Sequence, residues 1–397
     1  MRALEILQEE LADSLGFLHS KRLHALWRLV DGLLRGQQLW LTELGRNLPG
    51  ACSVKHRIKA VDRFVGSAAM QRATAKVYCA LASFLLRSTK RPVVLVDWTG
   101  GESGLWLLSA KIAFAGRALS ILSRSYPERK KANPDVEREF LQELKEILPR
   151  GCRPVLVTDA GFLFKWFDSV REMGWDYVGR IRLKKTGLFI GGRWMQLGAA
   201  YELARQKARS FGTIPVGKNN PRTHHVVVSA KPKPKRRQRL GRKGKPLNGG
   251  VARACRAAAR EPLMLVTSLS DRPRAVVDIY RLRMQVEETF RDLKSHRYGW
   301  STRHIRTSSS CRFDLLLLIG ALAAVAMHLI GVSIRGRRIA HGLQANTERR
   351  RKVFSSFFLG RLVITQNLEA ALPEQTLRTK LGSLVLAIPS VERIAAA

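Results

Sequence analysis

Two aspartates close apolar runs: Val93-Val94-Leu95-Val96 leads into Asp97, and Pro154-Val155-Leu156-Val157-Thr158 leads into Asp159. A carboxylate there leaves the core at the C-terminal end of a strand and faces a crevice, and two of them suit a hard divalent cation. Aspartate also ends strands simply as a turn residue, so neither decides alone. The third acidic candidate lies in Tyr280-Arg281-Leu282-Arg283-Met284-Gln285-Val286-Glu287-Glu288-Thr289-Phe290-Arg291-Asp292-Leu293-Lys294, which reads as one helix. At about 100° per residue, Tyr280, Arg283, Glu287 and Lys294 fall within an arc of roughly 60°, beside an apolar face of Leu282, Val286, Phe290 and Leu293. Glu288 points about 100° away from Glu287, so the count selects Glu287 as partner of the aspartates. The competing reading is a solvated stripe laced with i,i+4 pairs.

The elements that must position these residues are of three kinds. Up to about residue 90 the apolar spacing is helical, as in Leu23, Leu26, Trp27, Val30, Leu33 and Leu34. Within that stretch Thr42 to Leu48, Pro49-Gly50 and a Ser53-capped run with Lys55, His56, Arg57, Lys59 and Arg63 predict a helix, a turn and a basic helix. That is the plan of a major-groove reader, with a solvated basic face on a structural bundle as the alternative. Strands follow at Val93 to Val96, Trp106 to Ala113 and Leu119 to Ser123, then a helix from Val136 to Ile147 and the strand ending at Asp159. The result is an α/β domain. From about Arg182 to Ala258, short strands (Gly187 to Ile190, His225 to Ser229) flank Lys231 to Lys245, in which nine of fifteen residues are basic. Such a run does not pack, which leaves a disordered loop or a phosphate-tracking strip.

A net charge of +39 over 397 residues, with 70 Lys plus Arg against 31 Asp plus Glu, implies a polyanionic partner. Nucleic acid comes first and an anionic membrane surface second. With 45% hydrophobic residues the chain can bury a core, and its length allows two or three domains. Five scattered cysteines without a Cys-x-x-Cys argue against a disulfide framework and a zinc ribbon, and fit a reducing compartment. His224-His225 with Cys255 matches no common zinc spacing, and Gly241 to Lys245 lacks the strand and the Ser or Thr of a phosphate-binding loop. The acidic N-terminus reads as an amphipathic helix rather than a signal peptide, which predicts a cytoplasmic protein. Leu315 to Ile334 is long enough to span a bilayer, yet its Gly and Ala content and its solitary occurrence favour a buried core helix.

Val94-Leu95-Val96-Asp97-Trp98, Val157-Thr158-Asp159-Ala160-Gly161-Phe162 and the Tyr-x2-Arg-x3-Glu-x6-Lys signature of Tyr280, Arg283, Glu287 and Lys294 resemble the bacterial cut-and-paste transposases of the insertion sequence four family. Glu287 to Ser295 and Arg306-Thr307-Ser308-Ser309-Ser310 are most similar to its transposon ten branch, and the likeness runs from about Lys55 to Thr347. The resemblance implies an α/β, RNase-H-like catalytic core at 89–310 with a β-rich insertion at about 182–262. A helical DNA-end-binding domain at 1–88 and a helical C-terminal region at 311–397 that helps pair protomers would flank it. It implies Asp97, Asp159 and Glu287 as an acidic triad for Mg²⁺, with Mn²⁺ as a substitute, and Tyr280, Arg283 and Lys294 on phosphates and a flipped base. Lys55, Arg57, Lys59, Arg63 and Arg306 become expected DNA contacts. The implied partners are double-stranded element ends and target DNA, a second protomer in the synaptic complex, and no membrane; the implied place is the bacterial cytoplasm, at the nucleoid. Cleavage through a hairpin and joining of 3′-OH ends to target follow from the same likeness. Leu263 stands where relatives carry a base-stacking tryptophan. The rival readings are a transposase-derived protein that binds DNA without cutting and a basic membrane protein.

Overall fold

The computed structural model describes the chain except residues 101–103, 183–185, 231–249, 251–260, 296–299, 301, 346, 349–352 and 397. The basic run from Lys231, Cys255 and the Gly241 to Lys245 segment therefore lie outside the described residues. The fold is mixed α/β and divides into two compact units, Met1–Pro154 with Leu282–Val391, and Val155–Arg281 with Glu392–Ala397.

The first unit opens with α1 (Arg2–Leu11), α2 (Ser20–Gly36), α3 (Leu41–Arg46), α4 (Val54–Val65) and α5 (Ala68–Leu86). The Ser53 side chain accepts from the His56 amide, the capping bond expected at the start of the basic helix. Gly45 lets α3 and α4 touch, since a Cβ there would stand 2.6 Å from the Ile58 Cα. An antiparallel sheet follows, β1 (Val93–Gly100), β2 (Leu105–Phe114) and β3 (Arg117–Pro127), then α6 (Pro134–Ile147) capped by Asn133. Asp97 lies opposite Ser109 and Leu95 opposite Lys111, so these four side chains share one face of the sheet.

The second unit holds β4 (Val155–Thr158), α7 (Phe164–Glu172), β5 (Asp176–Arg180), β6 (Gly187–Ile190), β7 (Arg193–Gln196), α8 (Leu197–Glu202), β8 (Arg209–Val216), β9 (Arg222–Ser229), β10 (Leu263–Thr267) and α9 (Pro273–Arg281). Its strands run in the order β4-β5-β10-β9-β8-β6-β7, with β4 and β5 parallel. His224 is fully buried there, its Nδ1 2.6 Å from the Tyr177 hydroxyl, which makes it a core group.

The chain then returns to the first unit as α10 (Met284–Lys294), α11 (Ser310–Ile334), α12 (Arg338–Gly342), α13 (Ser356–Thr365) and α14 (Glu374–Leu386). α11 is the long apolar run. It is long and apolar enough to cross a membrane, but it is almost wholly buried in the fold, against α2, α5, β3, α13 and α14. Glycines at 331 and 360 bring α11 and α13 into backbone contact, a Cβ on Gly331 falling 1.7 Å from the Ser356 carbonyl oxygen. Asp314 ties α11 to β3 by accepting from the Ser125 amide (2.8 Å) and hydroxyl (2.7 Å), with the Arg124 guanidinium 3.5 Å away. Burial pushes its carboxyl up to about 6, against the pull of Arg124 and the Ser125 bonds.

One expectation needs correction. Tyr280 to Lys294 is two helices, α9 and α10, broken at Leu282 and Arg283. The amides of Gln285 and Val286 bond three residues back, to Leu282 and Arg283, so the joint is a tighter turn than an α-helix and the 100° count does not carry across it. Neither Pro nor Gly occurs there. α9 falls in the second unit and α10 in the first, and Arg283, at the joint, is held by carboxylates of its own unit. The expected apolar face is also thinner, since only Val286 and Asp292 of α10 are buried.

Candidate active site

In the first unit, Asp97 and Glu287 meet on one cation. The Arg283 guanidinium sits 3.7 Å from Asp97 Oδ2 through Nη1 and donates through Nη2 to Glu287 Oε1 at 2.6 Å. Asp97 is not at the strand's end as expected: β1 runs on to Gly100, and Asp97 is the last residue of its buried stretch, with its side chain 12% exposed against 54% for that of Glu287. One carboxylate is thus fixed by the sheet and the other is free to adapt. Lys294, two turns further along α10, donates from Nζ to Thr99 Oγ1 (2.7 Å) and the Gly100 carbonyl (2.9 Å), which pins the helix to β1. Glu288 turns to the other edge of α10, where it pairs with Arg291 at 2.9 Å and approaches Arg117 at 3.9 Å. Along that edge Thr289 accepts from the Ala118 amide and Asp292 from Arg117 Nε.

Lys111 is a member of this site that the sequence reasoning missed. Its side chain is buried on the Asp97 face of the sheet, with Nζ 3.7 Å from the Phe290 ring centroid and no hydrogen-bond partner among the described residues. Burial pushes its amine down to about 7; Asp97 opposes the fall and Lys294 adds to it. The available signal was a lone charge inside the apolar strand Leu105–Phe114.

Other expected residues belong to the second unit. Asp159 follows β4 in the second unit, and its Oδ1 accepts from the Gly161 amide at 2.8 Å, a local turn bond. Tyr280 is buried on α9 in that unit, and Leu263 is buried on β10. Among the described residues no group of three or more His, Cys, Asp or Glu side chains is assembled to hold a metal ion. Asp97 and Glu287 nevertheless make a fitting partial donor set: two hard oxygen ligands already share one positive charge.

The expected DNA contacts of the first unit are outward-facing in part. Lys55, Lys59 and Arg63 of α4 are exposed, while Arg57 is half-buried and donates to the Leu48 carbonyl at 2.6 Å, bracing the turn between α3 and α4. Arg306 is exposed beside a cavity of about 100 Å³ lined also by Trp40 and Arg312, and Arg312 pairs with Asp62 of α4.

A search of curated proteins finds no match to the chain. The family model of the transposase DDE domain matches residues 110–324, a span that includes Asp159, Tyr280, Arg283, Glu287 and Lys294 and begins after Asp97. With more than half its length so matched, and with carboxylates and basic groups gathered on β1 and α10, the chain belongs to the DDE transposase family.

Proposed function

We propose that the protein is a cut-and-paste DNA transposase of the insertion sequence four type, closest to the transposon ten branch, with Asp97, Asp159 and Glu287 as its metal-binding carboxylates in an RNase-H-like core. The observation that carries this reading is the Arg283 bridge: Asp97 and Glu287, 190 positions apart in sequence, converge on a single cation. Mg²⁺, or Mn²⁺ in its place, would supply stabilisation of the attacking and departing oxygens of an in-line phosphodiester displacement. Asp97 offers a rigid ligand and Glu287 an adaptable one. Arg283 holds the two carboxylates while DNA is absent and turns to a phosphate when a strand arrives, as its planar fork suits. Lys294 keeps α10 against β1, and Tyr280 with Lys294 completes the contacts to the strand near the cut. Water then frees a 3′-OH, which attacks the opposite strand as a hairpin and, after reopening, the target. Residues 1–88 recognise element ends through α4, and 311–397 help pair two protomers on two ends.

Asp97→Asn, Asp159→Asn and Glu287→Gln should each abolish cleavage of end-sequence DNA while leaving its binding nearly intact, because each removes a metal ligand and no phosphate contact. Glu288→Gln should cut normally. Retained cleavage in Glu287→Gln with loss in Glu288→Gln overturns the assignment, and binding without any cleavage by the unmodified chain supports a transposase-derived DNA-binding protein instead.

A further inference from the structure

An open cavity of about 500 Å³, whose lining includes neither Asp97 nor Glu287, lies in the first unit between the β2–β3 turn, the end of α11, the entry to α13 and α14. Two guanidinium groups, Arg117 and Arg335, and an apolar wall of Val332, Val353, Phe354 and Leu384 line it. Arg117 has its Nε on Asp292 (2.6 Å) and Glu288 at 3.9 Å, whereas the Arg335 guanidinium donates to the Phe354 carbonyl, at 3.4 Å, and has no carboxylate partner among the described residues. Burial and the nearby Arg117 both push the Arg335 guanidinium below its ordinary value.

Behind the wall, His328 is fully buried, its Nδ1 2.8 Å from the Ser356 hydroxyl, which donates to the Ala115 carbonyl. Burial, Arg117 and Arg335 together push that imidazole down to about 3, so it stays neutral and adds no charge of its own. Two demands meet in one space: an anion for Arg335, and a flat apolar body against Phe354 and its neighbours. Inorganic phosphate meets only the first and a hydrocarbon only the second. A nucleotide meets both, and the volume falls within the range of small-ligand sites.

We propose that this cavity holds a nucleotide unit of a single DNA strand, its phosphate on Arg335 with Arg117 behind it and its base on the wall formed by Val332, Phe354 and Leu384. The strand it serves rests on the DNA-processing reading above, whereas the cavity's preference for a nucleotide does not. Arg117 also clamps α10 through Asp292, so a strand seated here lies one ion pair from the helix that carries Glu287.

The test uses the full chain without metal, with dAMP, inorganic phosphate and a dT12 oligonucleotide as probes, by calorimetry and fluorescence anisotropy. dAMP should bind at least tenfold more tightly than phosphate and be displaced by dT12. Arg335→Gln should weaken both nucleotide probes about tenfold and lower the salt slope for dT12 by about 0.7. Leu384→Trp, which fills the space and keeps both charges, should block dAMP; unchanged circular dichroism establishes that each variant is folded. Equal binding of phosphate and dAMP, unchanged affinities in folded Arg335→Gln and Leu384→Trp, or dAMP binding that dT12 does not compete each overturns the proposal. Since dAMP binding requires no cleavage, loss of the catalytic reading and loss of this one are separate results.

Discussion

Replacing Lys111 by Met should stabilise the metal-free protein at neutral pH and flatten its pH dependence on the alkaline side. The residue is 1% exposed, its Nζ lies 3.7 Å from the Phe290 ring centroid, and burial pushes the amine from its ordinary 10.5 down to about 7, with Asp97 opposing the fall and Lys294 adding to it. At ~1.36 kcal/mol per pH unit, that fall is about 5 kcal/mol of cost for burying the ammonium rather than the amine. Between pH 7 and 10.5 the unfolded chain binds the proton and the folded one does not, so stability must rise with pH across that window and level off above it. From pH 8 to 9.5 the wild type should gain about 2 kcal/mol that the Met variant does not. Methionine keeps the length of the side chain and needs no hydrogen bond, so packing is little disturbed. Urea unfolding at pH 6.5, 8 and 9.5, followed by tryptophan fluorescence in chelator-treated buffer, reads the difference. If Lys111→Met is less stable at pH 6.5 and both proteins share one slope, then Asp97 and the Phe290 ring over-compensate the desolvation and the reasoning is wrong.

Gly331→Ala should destabilise the first unit by about 3 kcal/mol or more, because its methyl group meets the Ser356 carbonyl oxygen and two packed helices must part; the urea midpoint measures it. Neutralising Lys55 and Lys59 together should weaken binding to end-sequence duplex and lower the salt slope by about 2, with cleavage position unchanged; an unaltered slope removes α4 from the interface. Serine in place of the nine basic residues of Lys231 to Lys245 should lower affinity for every duplex alike, since like charges on a Pro- and Gly-broken backbone fix no base-reading geometry. A shifted cut site counts against that view.

The sequence by itself determined many of the elements. Apolar runs that end in Asp97 and Asp159 are strands because four consecutive apolar residues with β-branched members are stable when buried on both faces. α4 begins at Ser53 because its hydroxyl caps a free amide. The separation of Glu287 from Glu288 was legible too, since both lie on α10, where the local period holds. Distant contacts decided the rest. Local periodicity runs on through Leu282 and Arg283, so the break there, which puts Tyr280 and Glu287 on different helices, appears only in three dimensions. Lys111 reads locally as a blemish in a strand, and becomes part of the site only because α10 lays Phe290 over it. The Arg283 bridge likewise depends on a helix returning to β1 after 190 residues, a choice made by whole-unit packing rather than by any window of sequence.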